Sequence, residues 1–86
     1  MIFGKTSIQA KTGLHARPAA ELVALTKSFQ SKILIRSGAK AANGASIINL
    51  LSLGLKSGSE IEIIAEGEDE TTALQAVLDF FENLKD

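Results

Sequence analysis

The 86-residue chain contains no cysteine, tryptophan or tyrosine, and it has a single histidine and a single proline. Without cysteine the chain forms no disulfide, thiolate metal site or thiol nucleophile. One histidine would leave a zinc site dependent mostly on carboxylates, which structural and catalytic zinc sites rarely are. Four phenylalanines are the only aromatic residues and the formal net charge is −1. Neither base stacking nor electrostatic attraction therefore predicts nucleic-acid binding.

Long hydrophobic runs are also absent, although 45% of the residues are hydrophobic. No apolar stretch approaches the roughly 20 residues needed to span a bilayer. The opening segment MIFGKTSIQ is too polar and too regularly alternating for a signal peptide. We therefore expect a cytoplasmic protein with no membrane partner. The length suits one small domain, residues 1–86, with enough aliphatic side chains for a core.

Apolar and polar residues alternate in the segments that we predict to be strands. These segments are IFGKTSIQAK, SKILIRS and SGSEIEIIAEG. The positions predicted to face inward are Ile2, Thr6, Ile8, Ala10, Ile33, Ile35, Ile61, Ile63 and Ala65. A turn at Ser37–Gly38 leads into a further short strand near Ala39–Ala42.

Three other segments follow helical spacing. The first begins at about His15 or Ala16, and Pro18 suits its first turn because the missing N–H breaks no intrahelical bond. In the second, SIINLLSLG, Ser46 is a natural N-cap and Gly54 a natural stop. The third is EDETTALQAVLDFFENLK, with an acidic start and an apolar face of Leu74, Val77, Leu78, Phe81 and Leu84. The order β-α-β-β-α-β-α predicts an α+β open-faced β-sandwich, a four-stranded antiparallel sheet covered on one face by three helices.

The segment GLHARPA places the single histidine, His15, at the predicted start of the first helix. Helix N-termini expose unbonded N–H groups with partial positive charge, and they bind anions for that reason. Ala16 and Arg17 would supply two such groups, and the Arg17 guanidinium adds a fixed charge. The same field favours the neutral, nucleophilic imidazole. These properties suit covalent phosphohistidine chemistry. On generic spacing alone, a histidine in a polar loop without such a role is an equal alternative.

GLHARPA resembles the active-centre signature of HPr, the histidine-containing phosphocarrier family of the bacterial phosphoenolpyruvate-dependent sugar phosphotransferase system. The resemblance spans essentially the whole chain, including SLGLKSGSEIEIIAEGEDE. It implies that His15 accepts a phosphoryl group on Nδ1 from phosphorylated enzyme I and donates it to the IIA domain of a sugar permease. Arg17 would pair with the phosphoryl oxygens, and the N–H groups of Ala16 and Arg17 would cradle them. The protein would be a stoichiometric carrier without a cofactor, and not an enzyme.

Ser46 has two compatible predicted roles, an N-cap and a regulatory phosphorylation site. It aligns with the serine that a dedicated kinase, HPr kinase/phosphorylase, phosphorylates in Gram-positive members of the family. Phosphate at a helix N-terminus suits the helix dipole and would change the surface charge without disrupting the fold. Ala45 stands where many members have lysine, and Ile47, Ile48 and Asn49 stand where Gram-positive members tend to have methionine and glycine. These departures weaken the kinase recognition that the resemblance implies.

The second helix carries more apolar side chains than a short helix can bury. Ile47, Ile48 and Leu51 are either incidental exposures or a docking patch beside the His15 loop. The resemblance favours docking, with Lys27 at the rim of the patch, although Ala24 stands where a basic residue is common. The predicted docking residues are Thr12, Ala20, Lys27, Ile47, Ile48 and Leu51.

Four functions are compatible with these observations. The first is the phosphoryl carrier, with enzyme I and IIA domains as partners. The second is a regulatory binding module that signals mainly through Ser46 to a catabolite-control transcription factor, although such a module would not require His15. The third is a paralogue that serves a nitrogen-related phosphorelay. The fourth, an RNA-binding α/β domain, is disfavoured by the charge and by the absence of exposed strand aromatics. Nothing predicts an obligate oligomer, so we expect a monomer.

Overall fold

A computed structural model describes residues 1–85 and contains seven elements in the order β-α-β-β-α-β-α. The strands are β1 (Ile2–Ser7), β2 (Lys32–Ser37), β3 (Lys40–Asn43) and β4 (Glu60–Glu66). The helices are α1 (Ala16–Lys27), α2 (Ile47–Ser52) and α3 (Glu70–Glu82). The predicted order of elements is therefore confirmed. Strand β1 ends at Ser7, and β3 begins at Lys40, one residue later than the predicted short strand.

The strands form one four-stranded sheet in the spatial order β1-β4-β2-β3, with every neighbouring pair antiparallel. Ile63 of β4 lies opposite Gly4 on one side and Ile35 on the other. Side chains alternate between the faces of a strand, so the predicted inward positions of β2 and β4 share one face, and all of them are buried. This face is covered by the helices, as expected for an antiparallel sheet with one wet face.

The core lies between this covered face and the helices. The helical side chains buried in it include Ala19 and Leu22 of α1, Leu50 of α2, and Ala73, Val77 and Phe81 of α3. Ile8 is also buried, although it follows the end of β1. Its N–H donates to Ser59 O at 2.9 Å, so the strand-like pairing continues beyond Ser7. Within residues 1–85, no helix is long and apolar enough to cross a membrane.

The open face of the sheet is only partly polar. The register aligns Phe3, Ile64 and Leu34 in one cross-strand row. Phe3 is 64% exposed, so the expectation that the strands expose no aromatic side chain is wrong at this position. The next row contains charged side chains, with the Arg36 guanidinium 2.6 Å from the Glu62 carboxylate. This ion pair is largely exposed and contributes little to stability.

Candidate functional site

The loop before α1 is anchored to the segment that follows α2. Gly13 has φ +70, a conformation that glycine adopts without strain. A Cβ at this position would lie 2.2 Å from Leu55 O, so the backbone approaches more closely than any side chain would allow. The next N–H, of Leu14, donates to the same carbonyl at 3.2 Å, and the Leu14 side chain is buried. These contacts fix the chain immediately before His15.

His15 occupies the N-cap position of α1, with extended backbone angles of φ −100 and ψ −172. Its carbonyl oxygen accepts the first helical hydrogen bond, from Ala19 N at 3.0 Å. Its imidazole makes no capping hydrogen bond and is exposed. The start predicted for this helix, at His15 or Ala16, is confirmed.

The first turn of α1 leaves two donors available. Pro18 has no N–H and is buried. Within the described residues, the N–H groups of Ala16 and Arg17 have no hydrogen-bond partner, as the first N–H groups of a helix have no intrahelical acceptor. The first turn also contains no acidic residue. The helix dipole at this end is therefore not offset by a neighbouring carboxylate, which leaves the site favourable to an anion.

The Arg17 side chain is exposed, and within residues 1–85 it makes neither an ion pair nor a hydrogen bond. A guanidinium in this state can turn toward an anion at the helix start without first breaking another interaction. Arginine also presents a planar fork of donors that matches phosphate oxygens. The structure thus brings together, within one helical turn, an exposed imidazole, two backbone donors and a guanidinium, and neither the donors nor the guanidinium has a partner among residues 1–85.

The side chain of Ser46 caps α2. Its Oγ accepts from Asn49 N at 3.3 Å, and its carbonyl oxygen accepts from Leu50 N at 3.0 Å. The predicted N-cap role is confirmed. A role for Ser46 in regulation stays a prediction, since the cap alone accounts for the residue.

Helices α1 and α2 run in opposite directions beside each other. The buried Thr26 hydroxyl, near the end of α1, donates to Gly44 O just before α2 at 2.7 Å. Leu55, just after α2, contacts the loop before α1. His15 therefore lies beside the end of α2, and Ser46 beside the end of α1. Twelve helical residues span about 18 Å, so most of the length of α1 separates the two sites.

The apolar side chains of α2 divide as predicted between core and surface. Leu50 and Leu53 are buried, whereas Ile47, Ile48 and Leu51 are 39%, 79% and 39% exposed. We call these three exposed residues the α2 patch. The other predicted docking residues, Thr12, Ala20 and Lys27, are exposed as well. Their common exposure is compatible with a docking surface, and that role stays a prediction.

Sequence reasoning missed Lys56 as a residue of this region. Its Cα would lie 2.9 Å from a Cβ at Gly13, so its backbone packs against the loop that carries His15. Lys56 N donates to Ser59 Oγ at 2.9 Å, and Ser59 N donates back to Lys56 O at 3.0 Å. The exposed Lys56 side chain, which has no ion pair among the described residues, therefore extends from a fixed backbone. The contact is long-range, and no local sequence pattern indicates it.

The side chains of this site do not form a metal-binding cluster. Within residues 1–85, no three His, Cys, Asp or Glu side chains come together in a way that could bind a metal ion. The chemistry available at the site is that of the imidazole, the two N–H groups and the guanidinium.

Comparison with known proteins identifies the family. Residues 4–83 match the family described as PTS HPr component phosphorylation site. The chain is 43% identical over 82 residues to the HPr-like protein Crh of Halalkalibacterium halodurans, covering 95% of this chain and 98% of that protein. It is 38% identical over 86 residues to the phosphocarrier protein HPr of Borreliella burgdorferi, with complete coverage of both chains.

The fold comparison agrees with the sequence comparison. The crystal structure of an HPr from Thermoanaerobacter tengcongensis superimposes with a TM-score of 0.91 and 40% identity, covering 95% of this chain and 92% of that one. The resemblance of GLHARPA to the HPr signature, the helix start that presents His15 and the match over residues 4–83 lead to one conclusion. The chain belongs to the HPr family of phosphocarrier proteins.

Proposed function

We propose that this protein accepts a phosphoryl group on His15 from phosphorylated enzyme I and passes it to the IIA domain of a sugar permease. The observation that supports the proposal is the uncapped start of α1, where the exposed imidazole lies beside the unbonded N–H groups of Ala16 and Arg17. An imidazole nitrogen, Nδ1 by resemblance to the family, attacks phosphorus. A nitrogen–phosphorus bond forms as the bond between phosphorus and the donor breaks.

The phosphorylated state would place a dianion at the positive end of α1. The N–H groups of Ala16 and Arg17 can donate to its oxygens, and the Arg17 guanidinium, which makes no ion pair with the residues that the structure describes, can approach it. These interactions stabilise the adduct without supplying a base that would activate water against it. The His15 loop has only the one imidazole, so the group can leave to a second protein rather than be hydrolysed. This is the behaviour of a stoichiometric carrier.

The proposed docking surface combines the α2 patch with the exposed residues of α1. Ile47, Ile48 and Leu51 offer exposed apolar area, and Lys27 is exposed at the end of α1. A mostly apolar surface with few fixed ion pairs suits short-lived complexes with more than one partner. We propose that enzyme I and IIA domains use this surface in turn.

The test is incubation of the protein with enzyme I, magnesium and labelled phosphoenolpyruvate. We expect a label that is acid-labile and alkali-stable, as phosphohistidine is, and that is lost in His15→Ala. Ser46→Ala serves as the matched control and should retain the label. A label retained by His15→Ala, or no label on the wild-type protein, would contradict the carrier function.

A regulatory module is the second candidate, supported by the match to HPr-like proteins named Crh. In this function a kinase phosphorylates Ser46, and the protein then binds a catabolite-control transcription factor. The half-buried Ser46 hydroxyl is engaged with Asn49 N, so the kinase would have to displace the cap. An acid-stable label on Ser46 that appears only with ATP and HPr kinase/phosphorylase would support this function. Phosphorylation of the protein by a nitrogen-related donor in place of enzyme I would instead support the phosphorelay paralogue.

We further propose that residues 1–86 act as a single cytoplasmic domain and as a monomer. A related solved structure is described as an HPr dimer from Thermoanaerobacter tengcongensis, so the oligomeric state needs a direct measurement. Light scattering across a range of concentrations should give the mass of one chain. A mass of two chains that persists on dilution would contradict the monomer.

A further inference from the structure

The turn between β3 and α2 contains an Asn-Gly pair, Asn43–Gly44, that the proposed function does not use. In such a pair the glycine nitrogen can attack the asparagine side-chain carbonyl carbon, because glycine has no side chain to obstruct the approach. Ammonia leaves and a five-membered succinimide forms. Water then opens either ring carbonyl, which gives aspartate or isoaspartate. In balance, one side-chain amide and one water become a carboxylate and ammonium.

Both members of the pair have structural roles in this turn. Asn43 Oδ1 accepts from Ala45 N at 2.9 Å in an Asx turn, and Asn43 O accepts from Ser46 N at 3.0 Å. A Cβ at Gly44 would lie 3.0 to 3.1 Å from three atoms of Ile33, which is tighter than ordinary contact. The turn therefore uses the carboxamide of Asn43 and the missing side chain of Gly44. These are the same two features that make an Asn-Gly pair reactive.

The fold also restrains the attacking nitrogen. Gly44 N donates to Ile33 O at 2.8 Å, and Gly44 O accepts from the buried Thr26 hydroxyl at 2.7 Å. Asn43 itself pairs with Leu34 across the β2–β3 hairpin, and Gly44 is buried. The nitrogen can reach the side-chain carbon of Asn43 only if the peptide plane rotates, and rotation breaks the hydrogen bonds on both sides of Gly44.

We propose that Asn43 is a deamidation site whose reactivity is controlled by opening of the β3–α2 turn, and that Thr26 and Ile33 hold this turn closed. The isoaspartate product lengthens the main chain by one carbon and removes the Asx turn three residues before Ser46. It also adds a negative charge beside the start of α2. The modification would therefore loosen the Ser46 cap and alter the edge of the α2 patch. This inference does not depend on phosphoryl transfer.

The first experiment compares the folded full-length chain with the same chain in urea, at mildly alkaline pH. Cleavage after Lys40 and Lys56 releases a peptide, residues 41–56, that contains both Asn43 and Asn49. Mass spectrometry locates the amide-to-acid change and distinguishes isoaspartate. Asn49 is the internal control, since the following Leu50 side chain obstructs the attack. We expect Asn43 to react selectively in urea and at least about tenfold more slowly in the folded chain. Equal rates in the two states would overturn the proposal.

The second experiment tests the hydroxyl of Thr26. Thr26→Val removes the hydrogen bonds of the hydroxyl to Gly44 O and, within α1, to Val23 O, and it keeps nearly the same shape. We expect it to accelerate deamidation of Asn43 in the folded state about fivefold. The rate in urea should not change. Thr72→Val, on the exposed surface of α3, is the matched control and should leave both rates unchanged.

Amide hydrogen exchange separates local opening from a general loss of stability. If the turn controls the reaction, Thr26→Val accelerates exchange at Gly44 N and deamidation at Asn43 by the same factor, while amides in the middle of β4 exchange as before. Unchanged deamidation in folded Thr26→Val, despite faster exchange at Gly44 N, would overturn the role of the turn. A uniform acceleration of all core amides would overturn the specific role of Thr26.

Discussion

Helices α1 and α2 both begin after an extended residue, His15 and Ser46, but only Ser46 uses its side chain to cap the helix. Ser46 Oγ accepts from Asn49 N, so part of the donor set of α2 is used by the chain itself. His15 makes no such bond, and the N–H groups of Ala16 and Arg17 have no acceptor in the described part of the chain. A serine, threonine or asparagine cap contributes roughly 1 kcal/mol, and α1 forgoes this stabilisation. The start of α2 therefore contributes to stability, whereas the start of α1 remains open to an external anion.

The two helices are also held in place differently. The start of α1 is fixed by non-local contacts, since Leu14 is buried and Gly13 packs against Leu55 O. Helix α2 has six residues, of which Leu50 alone is buried. Its start combines long-range hydrogen bonds at Gly44 with local ones that Ser46 Oγ and Asn43 Oδ1 accept. An open N-terminus is therefore compatible with a rigid loop when the loop is anchored from outside the helix. Substitutions at His15 should therefore reduce function more than stability, and substitutions at Ser46 should reduce stability more than function.

His15→Ser would convert the start of α1 into a copy of the start of α2, and it has the largest expected effect. We expect complete loss of the acid-labile label in the enzyme I assay. The serine hydroxyl can cap α1, because the backbone of residue 15 is already extended, so the free energy of unfolding should rise by about 0.5–1 kcal/mol. Urea denaturation measures this gain. His15→Ala is the control without a cap, and a serine variant no more stable than the alanine variant would contradict the comparison.

Gly13→Ala tests the external anchor of the α1 loop. An alanine at positive φ costs about 1–2 kcal/mol, and the contact with Leu55 O forces a further shift of backbone, so we expect a total loss of about 3 kcal/mol. Gly38→Ala is the matched control, with φ +61 and nothing within 4 Å of the added Cβ. It should lose only about 1 kcal/mol. Equal losses in urea denaturation would show that the close contact is not a constraint.

Ser46→Ala tests the local anchor of α2. Loss of the cap should lower the free energy of unfolding by about 1 kcal/mol and leave phosphorylation of His15 intact, since most of the length of α1 separates the sites. Ser52→Ala, at an exposed hydroxyl that donates to Asn49 O within the helix, should change stability by less than about 0.5 kcal/mol. A strong loss of His15 phosphorylation in the folded Ser46→Ala variant would mean that the two helix starts are coupled.

The sequence predicted the parts of this molecule that follow from local patterns. Strand alternation located Ile61, Ile63 and Ala65 in the core, and Pro18 marked the first turn of α1. The predicted apolar face of α3 is confirmed, since Val77 and Phe81 are fully buried and Leu74, Leu78 and Leu84 pack against the core. The burial of Ala73 was not predicted. Leu74 and Leu78 are half-buried and lie beside Gly4 of β1, whose missing side chain leaves room for them.

The unpredicted features all depend on contacts between distant residues. The approach of Gly13 to Leu55 O depends on how α2 lies beside α1. The buried Thr26 hydroxyl contacts Val23 O within its own helix and also Gly44 O, which is 18 residues away. A local pattern specifies the conformation of a segment and the face that it buries. It does not specify which backbone group of another segment will meet that face.

Helix α3 provides a third kind of helix start, in which the N-cap side chain bonds to another segment. Asp69 makes no side-chain cap, and its carboxylate accepts from the Ser31 hydroxyl and from the N–H groups of Ser31 and Gln30. These hydrogen bonds, that of the Ser31 hydroxyl first and the Gln30 N–H next, lower the pKa of Asp69 from its ordinary value of 3.8. The Asp69 carboxylate therefore joins α3 to the loop between α1 and β2 while it is ionised.

Asp69→Asn should have the smallest effect, and the effect should depend on pH. Because the pKa of Asp69 is lower in the folded chain than 3.8, its stabilisation is present above that value and is lost as the pH falls through the folded pKa. We expect urea denaturation of the wild type to show a loss of stability on acidification that is shallower in Asp69→Asn.

The pKa of Glu70 is also lowered, by the Gly67 N–H and then by the α-amino group of Met1, so Glu70→Gln should remove a separate part of the slope. Glu68→Gln, at the exposed neighbour, is the control. An unchanged slope in Asp69→Asn would mean that the Asp69 hydrogen bonds do not survive in solution, and α3 would then begin as α1 does, without help from its N-cap side chain.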